Sequence, residues 1–176
     1  FNFTSIASNL NMTPVLMGNT TIWKPSTTAL LANYHLMQIF MEAGLPAGVI
    51  NFLPGKGSLI GNIALSNPNL AGIHFTGSTA TFQGLWKGVG ANISNYKSYP
   101  RLVGETGGKD FIFAHSSADP KEVATAIVRG AFEFQGQKCS AASRAYIPAS
   151  LWNDVKQYVG EMLSTIKMGD VTDFTN

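Results

Sequence analysis

Apolar positions along the chain fall into short β-branched or aromatic runs and longer stretches at helical spacing, with glycine- and proline-bearing turns between them. Residues 20–23 read as a strand stopped by Lys24 and Pro25. Ser26 is then a candidate N-cap for a helix to about Ala43, which Gly44 and Pro46 end. Leu30, Leu36, Met37, Phe40 and Met41 form an apolar stripe on that helix, expected to face the core. The alternation repeats: a strand over 49–53, a turn at Pro54-Gly55-Lys56-Gly57 and a helix over 58–65. A strand over 71–75, a turn at Thr76-Gly77-Ser78 and a helix from Thr79 to about Val89 come next. A short strand over 101–103 leads into a glycine-rich turn carrying Glu105.

Beyond Gly108 a strand is expected over 110–114, and then a helix from Asp119 and Pro120 to about Phe134. A turn bearing Cys139, a strand over 144–147 and a helix from a Ser150 cap to Lys167 complete the pattern. Strands alternating with helices through short connections predict an α/β fold: a Rossmann-like parallel sheet with helices on both faces, then the first part of a second α/β domain. The boundary is placed so that residues 1–107 form one domain and 108–176 the start of the next. In such sheets ligands bind beyond the carboxyl ends of the strands, where the glycine turns lie.

Composition sharpens this picture. Charged residues make up 12% of the chain, about half the usual share. A self-contained small domain needs more charge on its surface, so faces normally covered within a larger, oligomeric molecule are expected. The net charge is +2 and the basic residues are scattered, which offers nothing to track a phosphate backbone and excludes a nucleic-acid partner. No apolar run long enough for a membrane span occurs, and one cysteine excludes an internal disulfide. No signal or transit peptide is recognisable, so the compartment is not legible here.

Several residues have the types and settings that chemistry requires. Cys139 is most simply a small buried hydrophobe, yet it follows a helix among Gln, Gly, Lys and Ser. An adjacent Lys138 favours a thiolate if the two side chains point the same way. Glu105, between glycines, is either a solvated turn residue or a general base, and partial burial would suit the second role. Thr76-Gly77-Ser78 lies between a strand and a helix, where backbone N–H groups and the helix dipole attract phosphate, although the full G-x-G-x-x-G spacing is missing. Lys24, at a strand end, suits a nucleotide ribose or plain solvent. Asn2 precedes a helical run, where a helix cap is the simpler reading. His35, His74 and His115 lack metal-ligand spacing and read as structural or solvated.

Taken together, Phe1-Asn2-Phe3, Trp23-Lys24-Pro25-Ser26, Gly44-Leu45-Pro46, Leu53-Pro54-Gly55, Phe75-Thr76-Gly77-Ser78, Glu105-Thr106-Gly107-Gly108-Lys109 and Gly136-Gln137-Lys138-Cys139 resemble the aldehyde dehydrogenase superfamily in order and spacing. The resemblance runs the length of the chain. It is strongest to the branch that oxidises glutamate γ-semialdehyde to glutamate in proline catabolism, through Phe1-Asn2-Phe3-Thr4, Phe132-Glu133-Phe134 and Lys138-Cys139-Ser140. Other members, acting on succinic semialdehyde or aliphatic aldehydes, and a silent nucleotide-binding module remain the alternatives.

The resemblance implies roles. The Cys139 thiolate attacks the aldehyde carbon, while the Asn2 amide and the Cys139 N–H hold the oxyanion. After hydride transfer a thioester remains, and Glu105 activates the water that releases the acid. Lys24 and Ser26 bind the adenosine ribose. Thr76, Gly77, Ser78, Thr79 and Thr81 face the pyrophosphate, and Ser140 contacts the amino-acid end of the substrate. NAD is the expected cofactor. Thr27 stands where many NAD-preferring relatives carry an acid, so the group that would repel the 2′-phosphate of NADP is missing. The chain is expected to be the central part of a longer, homo-oligomeric enzyme, placed in the bacterial cytoplasm or the mitochondrial matrix according to source, and to be inactive alone.

Overall fold

The computed structural model describes residues 4–176. Six α-helices and six strands follow in the order α1 (Thr4–Leu16), β1 (Thr21–Trp23), α2 (Leu30–Glu42), β2 (Ile50–Phe52), α3 (Gly57–Ser66), β3 (Gly72–Thr76), α4 (Thr79–Ala91), β4 (Arg101–Glu105), β5 (Phe111–Phe113), α5 (Pro120–Phe132), β6 (Arg144–Tyr146) and α6 (Ala149–Ser164), alternating except where β5 follows β4 directly. Two compact units make up the chain, one ending at Thr106 and the other beginning at Gly107.

The first unit holds two parallel strand pairs. Thr21 lies opposite Ile50 in β1–β2, and Gly72 to Thr76 run opposite Arg101 to Glu105 in β3–β4. A helix makes each crossover, as parallel pairing demands. In the doubly wound order 3-2-1-4-5-6, β2-β1 fits places 3-2 and β3-β4 fits places 4-5. Place 1 has no counterpart among the described strands, so the ladder falls into two pairs. The second unit contains one more parallel pair, β5–β6, with Phe111 opposite Arg144.

In the first unit Ala7, Trp23 and Ile50 are buried, and Leu36, Met37 and Phe40 of α2 pack against them. The Trp23 ring meets Phe52 edge-on at 5.0 Å. Leu30 and Met41, expected in the same core stripe, are instead exposed. The reason is length: a 13-residue helix spans about 20 Å and a three-residue strand about 10 Å, so the ends of α2 overhang the sheet. In the second unit Ala114, Val123, Ala124 and Val155 form the core between α5 and α6.

Helix ends depart from the sequence pattern in three places. Thr27–Ala29 form a single 3₁₀ turn before α2, so Ser26 precedes that turn and makes no side-chain cap bond. Its hydroxyl meets Thr28 Oγ1 at 2.9 Å instead. Pro148, extended at ψ 144°, holds the N-cap place of α6, which puts Ser150 inside the first turn. The same helix stops at Ser164, short of Lys167, where Ser164 and Thr165 hydroxyls donate to the carbonyls of Glu161 and Met162. Helix α5 stops at Phe132 rather than Phe134, because Phe134 and Gln135 are left-handed. Its start is as expected: Asp119 accepts from the N–H groups of Lys121 and Glu122 at 2.8 and 3.0 Å.

Candidate active site

The turn between β3 and α4 brings five of the singled-out residues together. Thr76 ends the strand, Gly77 makes the turn, Ser78 caps the helix, and Thr79 and Thr81 lie in its first turn. The Ser78 hydroxyl accepts from the Thr81 N–H at 3.3 Å and lies 2.8 Å from Thr81 Oγ1. The N–H of Gly77 donates to the Glu105 carbonyl at 3.1 Å. The Gly77 N–H is thus taken up by the strand ladder, a Cβ there would press on the Phe75 ring, and the N–H groups of Thr79 and Ala80 head the 13-residue helix.

Lys24 and Ser26 follow the carboxyl end of β1. The Lys24 ammonium donates to the Pro25 carbonyl at 2.7 Å, which turns its stem back along the chain. Beside them lies an open hollow of about 490 Å³, walled by Thr28, Leu30, Leu31, Tyr34, Phe52 and Pro54. Its largely apolar wall suits a flat aromatic ring. The sequence reading missed Tyr34 and Leu31 as wall residues; the only signal was a helix stripe too broad for the core.

Glu105 sits at the last position of β4 opposite Thr76, not in a turn, and it is exposed. The partial burial that would suit a general base is not seen at its side chain. An open cleft of about 470 Å³ lies at this strand end, with Asn9 and Leu10 of α1 and His74, Thr76 and Gly104 around Glu105. His74 Nδ1 is 3.2 Å from the Leu10 carbonyl oxygen, which ties α1 to β3. His35 and His115 hydrogen-bond to Gln38 and Ser117 close by in sequence. No group of three or more His, Cys, Asp or Glu able to hold a metal ion occurs among the described residues.

Cys139 belongs to the second unit and is half-buried, with exposed Ser140 beside it. The segment that carries it is fixed at several points. Gln137 N–H donates to Phe134, Ala141 to Lys138, Ala142 to Gly130 of α5 and Ser143 to Asp110, at 2.8–3.1 Å. The Lys138 ammonium lies 3.4 Å from Glu133 Oε1, so its charge is directed at that carboxylate. Asn2 lies outside the described residues.

Parallel βαβ units, with a capped helix head beyond one strand and an apolar hollow beyond another, define an α/β protein with a second, thiol-bearing unit. The aldehyde dehydrogenase family profile matches residues 1–176, and the chain belongs to that family. It is 52% identical over all its length to the mitochondrial delta-1-pyrroline-5-carboxylate dehydrogenase of Dictyostelium discoideum, covering 32% of that protein. The human mitochondrial enzyme of the same name is 51% identical over 97% of this chain and 30% of its own. The crystal structure of the corresponding Mycobacterium tuberculosis dehydrogenase bound with NAD superposes with a TM-score of 0.92 at 58% identity, covering 99% of this chain and 33% of that one. The chain thus spans about a third of the length of the relatives it matches.

Proposed function

We propose that this chain is the cofactor-binding and thiol-bearing part of an NAD-dependent dehydrogenase that oxidises L-glutamate γ-semialdehyde, the open form of 1-pyrroline-5-carboxylate, to L-glutamate. The observation that carries the reading is identity above half, over nearly the whole chain, to dehydrogenases named for that substrate, one of them crystallised with NAD. Residues 1–107 bind the nucleotide and 108–176 begin the catalytic unit.

The residues present fit the cofactor. The head of α4 offers the N–H groups of Thr79 and Ala80 to a pyrophosphate, flanked by the Thr76, Ser78 and Thr81 hydroxyls. The apolar hollow at the start of α2 takes an adenine ring, and Lys24 with Ser26 holds the ribose beside it. Bound NAD accepts the hydride released in the oxidation.

Chain residues do the rest. The Cys139 thiolate adds to the aldehyde carbon, and the Asn2 amide and Cys139 N–H hold the oxygen as it gains charge, each such donor being worth about 10²–10³ in turnover. Loss of hydride leaves a thioester on Cys139. Glu105 takes a proton from water, which attacks the thioester carbon; the acid departs and the thiolate is regenerated. Ser140 contacts the amino-acid end of the substrate. The parent enzyme is a homo-oligomer, in the mitochondrial matrix of a eukaryote or the cytoplasm of a bacterium.

The test is NADH formation by the full-length protein with glutamate γ-semialdehyde, succinic semialdehyde and propanal. Strong preference for the first, abolished in Cys139→Ala, is the expected result. Preference for another aldehyde would remove the substrate assignment, and full activity in Cys139→Ala would remove the mechanism. The isolated 176 residues are expected to form no NADH.

A further inference from the structure

The Glu105-to-Lys109 motif contains two adjacent glycines with opposite surroundings. A Cβ added at Gly107 meets nothing within 4 Å, whereas one added at Gly108 falls against the carbonyl oxygen of Cys139, closer than real Cβ contacts come. That obstacle is backbone, not the end of a flexible side chain, so the Cys139–Ser140 peptide would have to move. Neither glycine has a positive φ, so the difference between them is the contact and not backbone strain.

The same segment is constrained from its other end. Phe134, Gln135 and Gly136 are left-handed in succession, at φ 53°, 52° and 68°. A left-handed conformation is unfavourable for an L residue, so the turn persists only where its surroundings enforce it. A Cβ on Gly136 would come 2.8 Å from the Ala131 carbonyl oxygen at the end of α5. Beyond Cys139 the backbone is pegged by the N–H of Ala142 to the Gly130 carbonyl and by that of Ser143 to the Asp110 carbonyl.

We infer that Gly108 and Gly136 are positioning residues for the Cys139 thiol: they let the backbone on either side of it approach so closely that its place is fixed. The inference rests on the reading of Cys139 as the nucleophile. A displacement of about 1 Å at a reacting atom costs on the order of 10²-fold in rate, and relieving the Gly108 contact calls for a shift of that order.

The experiment compares Gly107→Ala, Gly108→Ala and Cys139→Ala in the full-length enzyme. The readouts are kcat and KM for glutamate γ-semialdehyde, NAD affinity by fluorescence titration, thermal melting and the rate of Cys139 alkylation by iodoacetamide. Gly108→Ala is expected to lose about 10²-fold in kcat and to change its alkylation rate, with NAD affinity unchanged. Gly107→Ala should stay within threefold of the unmodified enzyme. Equal losses in both variants, or a Gly108→Ala kcat within threefold of normal, would overturn the inference. Should Gly108→Ala not fold, Gly136→Asn reads the same segment, because asparagine tolerates the left-handed turn while its Cβ presses on Ala131. A tenfold or larger fall in kcat at unchanged NAD affinity supports the inference there, and a normal kcat overturns it. Full activity in Cys139→Ala would instead refute the role of Cys139 itself.

Discussion

Gly77 donates its backbone N–H to the Glu105 carbonyl at 3.1 Å, directly beyond the Thr76–Glu105 pair that ends β3 and β4. The turn proposed for the pyrophosphate and the carboxylate proposed as base are therefore held by one backbone ladder. Changing the carboxylate leaves that ladder in place, because only main-chain atoms make the bond. Glu105→Gln in the full-length enzyme is expected to lower kcat by about 10²–10⁴, with NAD affinity unchanged. Stopped-flow measurement should show a burst of NADH near one per active site, since thioester formation is kept and its hydrolysis is slowed. A loss of NAD affinity equal to the loss of turnover would place Glu105 in cofactor binding instead.

Ser78 caps α4 and is proposed to face the pyrophosphate, and one substitution reads both roles. Its hydroxyl caps Thr81 at 3.3 Å, and losing an N-cap costs about 1 kcal/mol. Ser78→Ala is expected to lower stability by that amount and to weaken NAD binding several-fold through the unpaired first turn. Calorimetric melting and NAD titration read the two effects; unchanged NAD affinity would exclude the α4 head from the cofactor site.

Thr27 lies in the 3₁₀ turn beside the apolar hollow, with hydroxyls rather than a carboxylate around it. An acid introduced there would repel a 2′-phosphate. Thr27→Glu is expected to lower kcat/KM for NADP at least about tenfold relative to NAD, a difference of about 1.4 kcal/mol. Equal changes for both cofactors would detach this turn from the ribose.

Much of this arrangement was legible in the sequence, because turn chemistry is local. Asp119 with Pro120 marks a helix start, and Gly77-Ser78 after a strand marks another; both sit where the pattern put them. What was not legible depends on partners distant in the chain. Glu105 reads as a loop residue because glycines flank it, yet pairing with β3 extends the strand through it. The stop of α5 at Phe132 could not be read either, since Phe134 and Gln135 have no preference for the left-handed turn that tertiary contacts impose. Gly107 and Gly108 look alike until the Cys139 carbonyl is seen above one of them. Asn2, which lies outside the described residues, rests on the family resemblance alone.

Val155 offers a stability test independent of any catalytic role. It is fully buried in α6 against Ala114, Val123 and Ala124, on the side of the second unit made by α5 and α6. Burying a valine side chain contributes roughly 1.5–3 kcal/mol, and truncation to alanine forfeits most of that while leaving a small cavity. Val155→Ala is therefore expected to destabilise the unit by about 1–3 kcal/mol in urea unfolding, with the m-value unchanged. Val159, also on α6 but only partly buried, should tolerate the same truncation at smaller cost. If the two substitutions cost the same, α6 is not seated on α5 through Val155, and the support for the whole thiol-bearing unit would have to lie elsewhere.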